Sequence, residues 1–175
     1  MTSHRSRIVV SVVGVLAVTL YAALAAVQIL VLNPLAAAPG LTLDDIRADM
    51  HGANESLGEE VVFLVLGLGV ALAVAIGIIV MLRSSPPRLA TLLFLAILTM
   101  GVPAYFIASF AAGMGLADTY GISGADYSPW SRILYIVSLG SFVAAVTLAV
   151  LTTLRGRGGG HARMTETARG PGIRG

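Results

Sequence analysis

The sequence predicts an all-α integral membrane protein, a four-helix antiparallel bundle with both termini cytoplasmic, and three observations predict it. Four long stretches, Ile8–Leu43, Val61–Leu82, Leu89–Ala117 and Ile133–Leu154, contain no Asp, Glu, Arg or Lys. Each is long enough to supply the ~20 apolar residues that cross roughly 30 Å of hydrocarbon. The charges between them are sorted by sign from one gap to the next. Helices are the required form, because open strands leave backbone polar groups unpaired in lipid. Barrel strands alternate in polarity over short segments, whereas these runs are apolar on every face.

Composition agrees. Hydrophobic residues make up 57% of the 175 and charged residues 11%, against about a quarter charged in soluble domains. Mean hydropathy is +0.89. A net charge of +2 is too small to imply a nucleic-acid partner, so the expected partner is the lipid bilayer. Cysteine is absent, which excludes thiol catalysis, thiolate metal sites and disulfides together. All eleven basic residues are Arg. With abundant Ala and Gly, that bias fits a high-GC bacterial chain and a multi-pass location in the bacterial cytoplasmic membrane.

The elements follow in order. Residues 1–7 form a basic cytoplasmic start with Arg5 and Arg7. The first span covers residues 8–32 and is closed by Asn33-Pro34. Its apolar run exceeds the roughly 7–15 residues of a signal-peptide core, so it is read as an uncleaved anchor. An outer loop, 33–60, follows. Within it Thr42-Leu43-Asp44-Asp45 resembles a capping box with Asp in place of Glu. The spacing of Leu43, Ile46 and Met50 then predicts a short surface helix over Leu43–His51, ended at Gly52.

The second span, 61–82, and the third, 89–113, are joined by a cytoplasmic turn at 83–88. Its two prolines stop either helix from running on. Pro103 lies inside the third span, where the carbonyl of Thr99 loses its helical partner, and Gly101 allows the resulting kink. After an outer loop at 114–130 the fourth span covers 131–154, with Ser128 as a cap, Pro129 in the first turn and Trp130 at the interface. The Gly- and Arg-rich tail, 155–175, is expected to be disordered. Its Arg-Gly pairs are read as a cytoplasmic anchor rather than as an RNA-binding segment.

Arg placement sets the direction. Arg5, Arg7, Arg83, Arg88 and the five tail arginines lie on one side, and only Arg47 and Arg132 on the other. Acids reverse the pattern, since Glu166 alone lies on the Arg-rich side.

Candidate functional residues are few. Gly69, Ala73 and Gly77 form a small-residue stripe one turn apart, suited to close helix packing within the chain or with a second copy. Gln28, Tyr105, Ser109 and Tyr135 are polar groups of the outer half of the spans. They are expected to line an outward-facing vestibule below the Pro103 kink, roofed by the outer-loop residues Asp45, Asp49, His51 and Glu55. The simpler alternative is an aromatic belt with ordinary interhelical hydrogen bonds beneath a solvated acidic loop.

Asp45 and Asp49 share a helix face, yet the loop lacks the spacing of a known cation loop, and no metal or cofactor is expected. No span carries an ionisable Asp, Glu, Arg or Lys of the kind that marks charge-coupled transport. Gln28 stands in the first helix, where a proton-driven four-span antiporter needs an acid. No nucleotide-binding, hydrolase or metalloprotease motif is present.

The expected function is therefore a non-enzymatic accessory or scaffold subunit, working with a larger membrane protein or with itself. A small oligomeric transporter or channel with an outward vestibule is the alternative. A reporter fused after Gly175 is expected to be active only in the cytoplasm, and activity of a periplasmic reporter at that position contradicts the assigned direction.

Overall fold

The computed structural model describes the backbone of residues 2–83 and 85–167, and side chains from His4 to Leu154 apart from Ser84. It is all-helical, with no strand among the described residues. Four helical segments are long and apolar enough to cross a membrane: His4–Ala37, Glu59–Leu82, Pro87–Tyr120 and Ser131–Leu154. That is the signature of a multi-pass helical membrane protein. Its surface agrees, since large side chains such as Leu20, Leu64, Leu82 and Ile136 are exposed.

Two of these segments are interrupted. Helix α1 (Thr2–Val27) passes into a π-helical turn at Gln28–Leu32 and resumes as α2 (Asn33–Ala37). The Asn33 N–H bonds to the Gln28 carbonyl five residues back, which inserts the extra residue of a π turn. Asn33-Pro34 therefore does not close the first span at residue 32, as the sequence suggests. Pro34 falls in the first turn of α2, where its missing donor is not needed. The chain then reverses at Ala38-Pro39-Gly40-Leu41. The Leu41 N–H reaches the Ala38 carbonyl at 3.3 Å, and Gly40 takes φ +93°, the positive angle that a type II turn demands.

Helix α3 (Leu43–Gly52) matches the expected short helix, and its reciprocal Thr42–Asp45 capping box is formed. It is not merely a surface element. Ile46 and Met50 are buried in one cluster with Leu57, Tyr105, Ala108, Ala112 and Leu116, so α3 caps one end of the molecule. Helix α4 (Glu59–Leu82) starts after Gly58, with Glu59 and Glu60 favourably placed in its first turn. Helix α5 (Pro87–Thr99) starts on Pro87, two residues earlier than the third span expected, because proline suits a first helical turn.

The expected kink appears as a break at Met100 between α5 and α6 (Gly101–Tyr120). Pro103 lies in the first turn of α6, with the Ala104 N–H on the Met100 carbonyl at 3.0 Å. Helix α6 runs on to Tyr120, beyond the expected end at residue 113, because Gly115 and Leu116 pack beneath α3. Gly121, at φ +65°, ends it. Helix α7 (Ser131–Thr167) continues past Leu154 through backbone where disorder was expected, and the last part of that tail, 168–175, lies outside the described residues.

Helix α1 is the central element, packing on α4 and α5, while α5 packs on α7 and α4 on α6. The approach is close because small residues line it: Ala25, Ala73, Ala90 and Ala108 are all 0% exposed. Of the small-residue stripe, Ala73 is buried in a cluster with Val18 and Phe94. A Cβ on Gly77 falls 3.4 Å from Val15 Cγ2, whereas one on Gly69 meets nothing within 4 Å. Two members of the stripe therefore serve packing inside the chain.

Gly14 and Gly101 are among the glycines required by contact. A Cβ on Gly14 collides with the Phe94 ring, and one on Gly101 falls 2.5 Å from Tyr21 Cζ. Gly14→Val and Gly101→Val are expected to destabilise the fold by about 1–3 kcal/mol each through overpacking. Gly69→Ala is expected to be neutral or stabilising by up to about 1 kcal/mol, because alanine is the better helix former. Thermal unfolding in detergent checks all three.

Candidate functional site

Polar side chains gather at the two helix interruptions. At the α5–α6 break, Ser138 of α7 donates to the Leu98 carbonyl at 2.8 Å and lies 3.2 Å from the Tyr21 hydroxyl. Tyr21 lies against Gly101. The larger set lies near the π turn and the capped end, and it is the candidate site.

Its centre is Asp126, in the segment 121–130 that links α6 to α7. This segment folds back along α6, bringing the Gly124 carbonyl within 3.0 Å of the Cβ position of Gly113. Asn33, buried at the start of α2, holds it there. Its Oδ1 accepts the backbone N–H of Tyr127 at 2.7 Å and of Ser128 at 3.3 Å. Asp126 is then gripped from two helices. Tyr105 donates to Oδ1 at 2.6 Å and Tyr135 donates to Oδ2 at 2.9 Å. The two rings meet edge-on, with centroids 6.0 Å apart and planes at 87°, a favoured aromatic geometry.

Gln28 stands behind this triad. Its amide adjoins the Tyr105 hydroxyl, but neither Nε2 nor Oε1 makes a hydrogen bond of acceptable geometry, although the residue is 0% exposed. An unpartnered buried amide costs about 1–3 kcal/mol, so the π turn holds an unmet polar group in the interior. The Ser11 hydroxyl is likewise buried without a partner, far along α1.

The four expected vestibule residues are thus divided. Tyr105 and Tyr135 join through Asp126, and Gln28 lies behind them in the core. Ser109 donates to the Phe106 carbonyl at 3.3 Å. It also lines a cavity of about 270 Å³, together with Phe106, Phe110, Asp126 and Tyr135. The expected acidic roof does not cover this cavity, as none of Asp45, Asp49, His51 and Glu55 lines it.

Those four have other surroundings. Asp45 Oδ2 accepts the Thr42 backbone N–H at 3.0 Å and the Thr42 hydroxyl at 2.6 Å. These bonds hold the Asp45 carboxyl below the usual carboxylate range. Asp49 accepts the Tyr120 hydroxyl at 3.0 Å, tying α3 to the end of α6. Glu55 Oε2 lies 3.2 Å from the Cβ position of Gly115, while His51 is exposed. Arg47 and Glu59 form an exposed ion pair at 3.7 Å, a type worth little. Among the described residues, no three of His, Cys, Asp and Glu come together as a metal site.

Sequence reasoning missed Asp126 and Asn33 as site residues. Asp126 counted only as one outer acid, and Asn33 only as a helix stop. The signal available was local: an Asp between Gly124 and Tyr127, near a helix start, in a loop with one other acid.

A second cavity is apolar. A lateral groove of about 610 Å³ opens beside the α5–α6 break, lined by Tyr21 and Ala22 of α1, by Leu68 and Leu72 of α4, and by Pro103 and Ile107.

The burial of the two tyrosines separates their contributions. Tyr105 is 1% exposed and Tyr135 42%, so the second is far less enclosed by the protein. Tyr105→Phe is expected to lower stability by about 1–3 kcal/mol, because it removes a buried donor to a charged partner. Tyr135→Phe is expected to cost less than about 1 kcal/mol. Unfolding of both variants in detergent measures the difference, and equal losses contradict the assigned hierarchy.

No family model, no curated protein and no solved structure matches this chain, so its chemistry is read from its own residues.

Proposed function

We propose that this protein is a non-enzymatic accessory or scaffold subunit of the bacterial cytoplasmic membrane, a four-helix antiparallel bundle with both termini cytoplasmic. The observation that carries the reading is the use of its interior. Ala25, Ala73, Ala90, Ala108 and Ala112, each at most 2% exposed, let the helices approach closely. Close packing of this kind suits a rigid body. The polar groups of the capped end largely bond to one another, through Asp126, Asn33 and the Asp49–Tyr120 contact. They brace α3 and the 121–130 segment rather than line a path across the spans.

What such a body offers a neighbour is its outside. One face carries the lateral apolar groove, and the capped end presents the acids of α3. A larger membrane-protein partner, or a second copy, is the proposed counterpart. The second reading, a small oligomeric transporter or channel, draws on the 270 Å³ cavity at Ser109, Asp126 and Tyr135.

The two readings separate on extraction in mild detergent. The scaffold reading expects the tagged full chain to co-purify with one larger membrane protein in a fixed ratio. Its leading status is lost if the chain purifies alone as a homo-oligomer and exchanges solutes across liposome membranes.

A further inference from the structure

Beside the Tyr105–Asp126–Tyr135 triad, the wall of the 270 Å³ cavity combines one carboxylate with aromatic rings, and this combination has a chemical use apart from bracing the fold. Asp126 receives only hydroxyl donors. Each oxygen of an ionised carboxylate has about two acceptor positions, so each retains one. Among the described residues no Arg or His side chain lies within ion-pair distance of it. Its negative charge is therefore held in place, reachable and uncompensated.

The rest of the lining is largely apolar and aromatic. Phe106 and Phe110, one turn apart on α6, have ring centroids 6.0 Å apart with planes inclined at 57°, and both line the cavity with Tyr135 and Met114. A cation within about 6 Å of such a ring is attracted by its negative face. The Ser109 hydroxyl, whose proton is directed at the Phe106 carbonyl, keeps lone pairs free to accept an N–H.

Size and charge narrow the ligand further. About 270 Å³ is many times the ~30 Å³ share of one water, yet below the ~300–1,000 Å³ of pockets for drug-sized molecules. A hydrated metal ion is poorly served, because a single carboxylate stands among phenyl rings, and hard cations take six or more oxygen ligands. An organic ammonium group matches both parts of the lining: its charge faces Asp126 and its carbon substituents face the rings. The same end of the chain carries Asp44, Asp45, Asp49, Glu55, Glu59, Glu60 and Asp118 against Arg47 and Arg132, a surplus that raises the local concentration of cations.

We propose that the cavity between α6, the 121–130 segment and α7 is a binding site for a small organic ammonium group, with Asp126 as its counter-ion and Phe106, Phe110 and Tyr135 as its aromatic wall. Two sources supply that chemistry, a free alkylamine and the amine headgroup of a membrane lipid. The site requires neither a protein partner nor transport, so it stands or falls separately from the scaffold reading.

Trp130 is the single tryptophan and lies four residues from Asp126, which makes its fluorescence the readout. Full-length protein in detergent is titrated with tetramethylammonium and with ethylammonium at constant ionic strength, with potassium chloride as the control. Saturable changes with both ammonium ions and none with potassium are expected. Affinity is expected to fall at least ten-fold in Asp126→Asn, and several-fold in Phe106→Leu combined with Phe110→Leu. The phenylalanine variant changes only exposed side chains, so it keeps the test valid if Asp126→Asn fails to fold.

The titration is then repeated in nanodiscs. Loss of the ammonium response in phosphatidylethanolamine discs, with retention in phosphatidylglycerol discs, assigns the site to a lipid headgroup. Retention in both assigns it to a free amine. Absence of saturable binding in detergent, an equal response to potassium, or unchanged affinity in the phenylalanine variant overturns the proposal.

Discussion

Wherever a helix is interrupted among apolar side chains, its freed main-chain groups must find new partners, and this constraint organises the molecule. Among the described residues there are two such places, the π turn at Gln28–Leu32 and the break at Met100. At the break, the Leu98 carbonyl is taken by Ser138 from a different helix, and Tyr21 fills the space that Gly101 leaves. Three spans are thereby fastened at one depth. At the π turn, the Asn33 N–H keeps a helical partner in the Gln28 carbonyl, and its side chain binds the backbone of the 121–130 segment. Without a donor set for these groups, each interruption costs several kcal/mol in a medium that has no water to offer.

The capped end depends on the second of these anchors. Asn33 sets the path of residues 121–130, that path places Asp126 between Tyr105 and Tyr135, and the cavity beside Asp126 exists because the segment lies along α6. Gly113 and Gly124 permit the approach, since their backbones come closer than a side chain on Gly113 allows. Gln28 remains unpaired next to this network. A buried amide left without partners is uncommon, and this one lies behind Tyr105, whose hydroxyl bonds to Asp126 on the cavity wall.

Much of the fold was legible in the sequence, because burial in lipid leaves a strong mark. The four apolar spans, the short helix at Leu43 with its Asp45 capping box, and the interruption near Pro103 all follow from local rules that tertiary context does not override. Element ends were less legible. Asn33-Pro34 reads as a stop, but a proline in a first turn after a π turn is harmless. Met114–Tyr120 reads as loop, but packing against Met50 of α3 and Leu57 favours helix there. The candidate residues are half legible: Tyr105 and Tyr135 stand out as polar groups in the outer half of the spans, while Asp126, which joins them, lies outside the spans.

By itself, the sequence determined the class of the protein, the number and approximate limits of its spans, and the asymmetry of charge between its two sides. All of these are sums over contiguous residues, and the cost of placing charge or unpaired backbone in hydrocarbon makes such sums decisive. Only the tertiary structure decided that Asn33, Asp126, Tyr105 and Tyr135 form one network, that Ala73 and Gly77 are occupied within the chain, and that Asp45 serves a helix cap rather than a roof. Those outcomes depend on contacts between residues up to about a hundred positions apart, and on a segment folding back along a helix. No local period or composition encodes such a path, because it is chosen by which buried polar groups can be satisfied together.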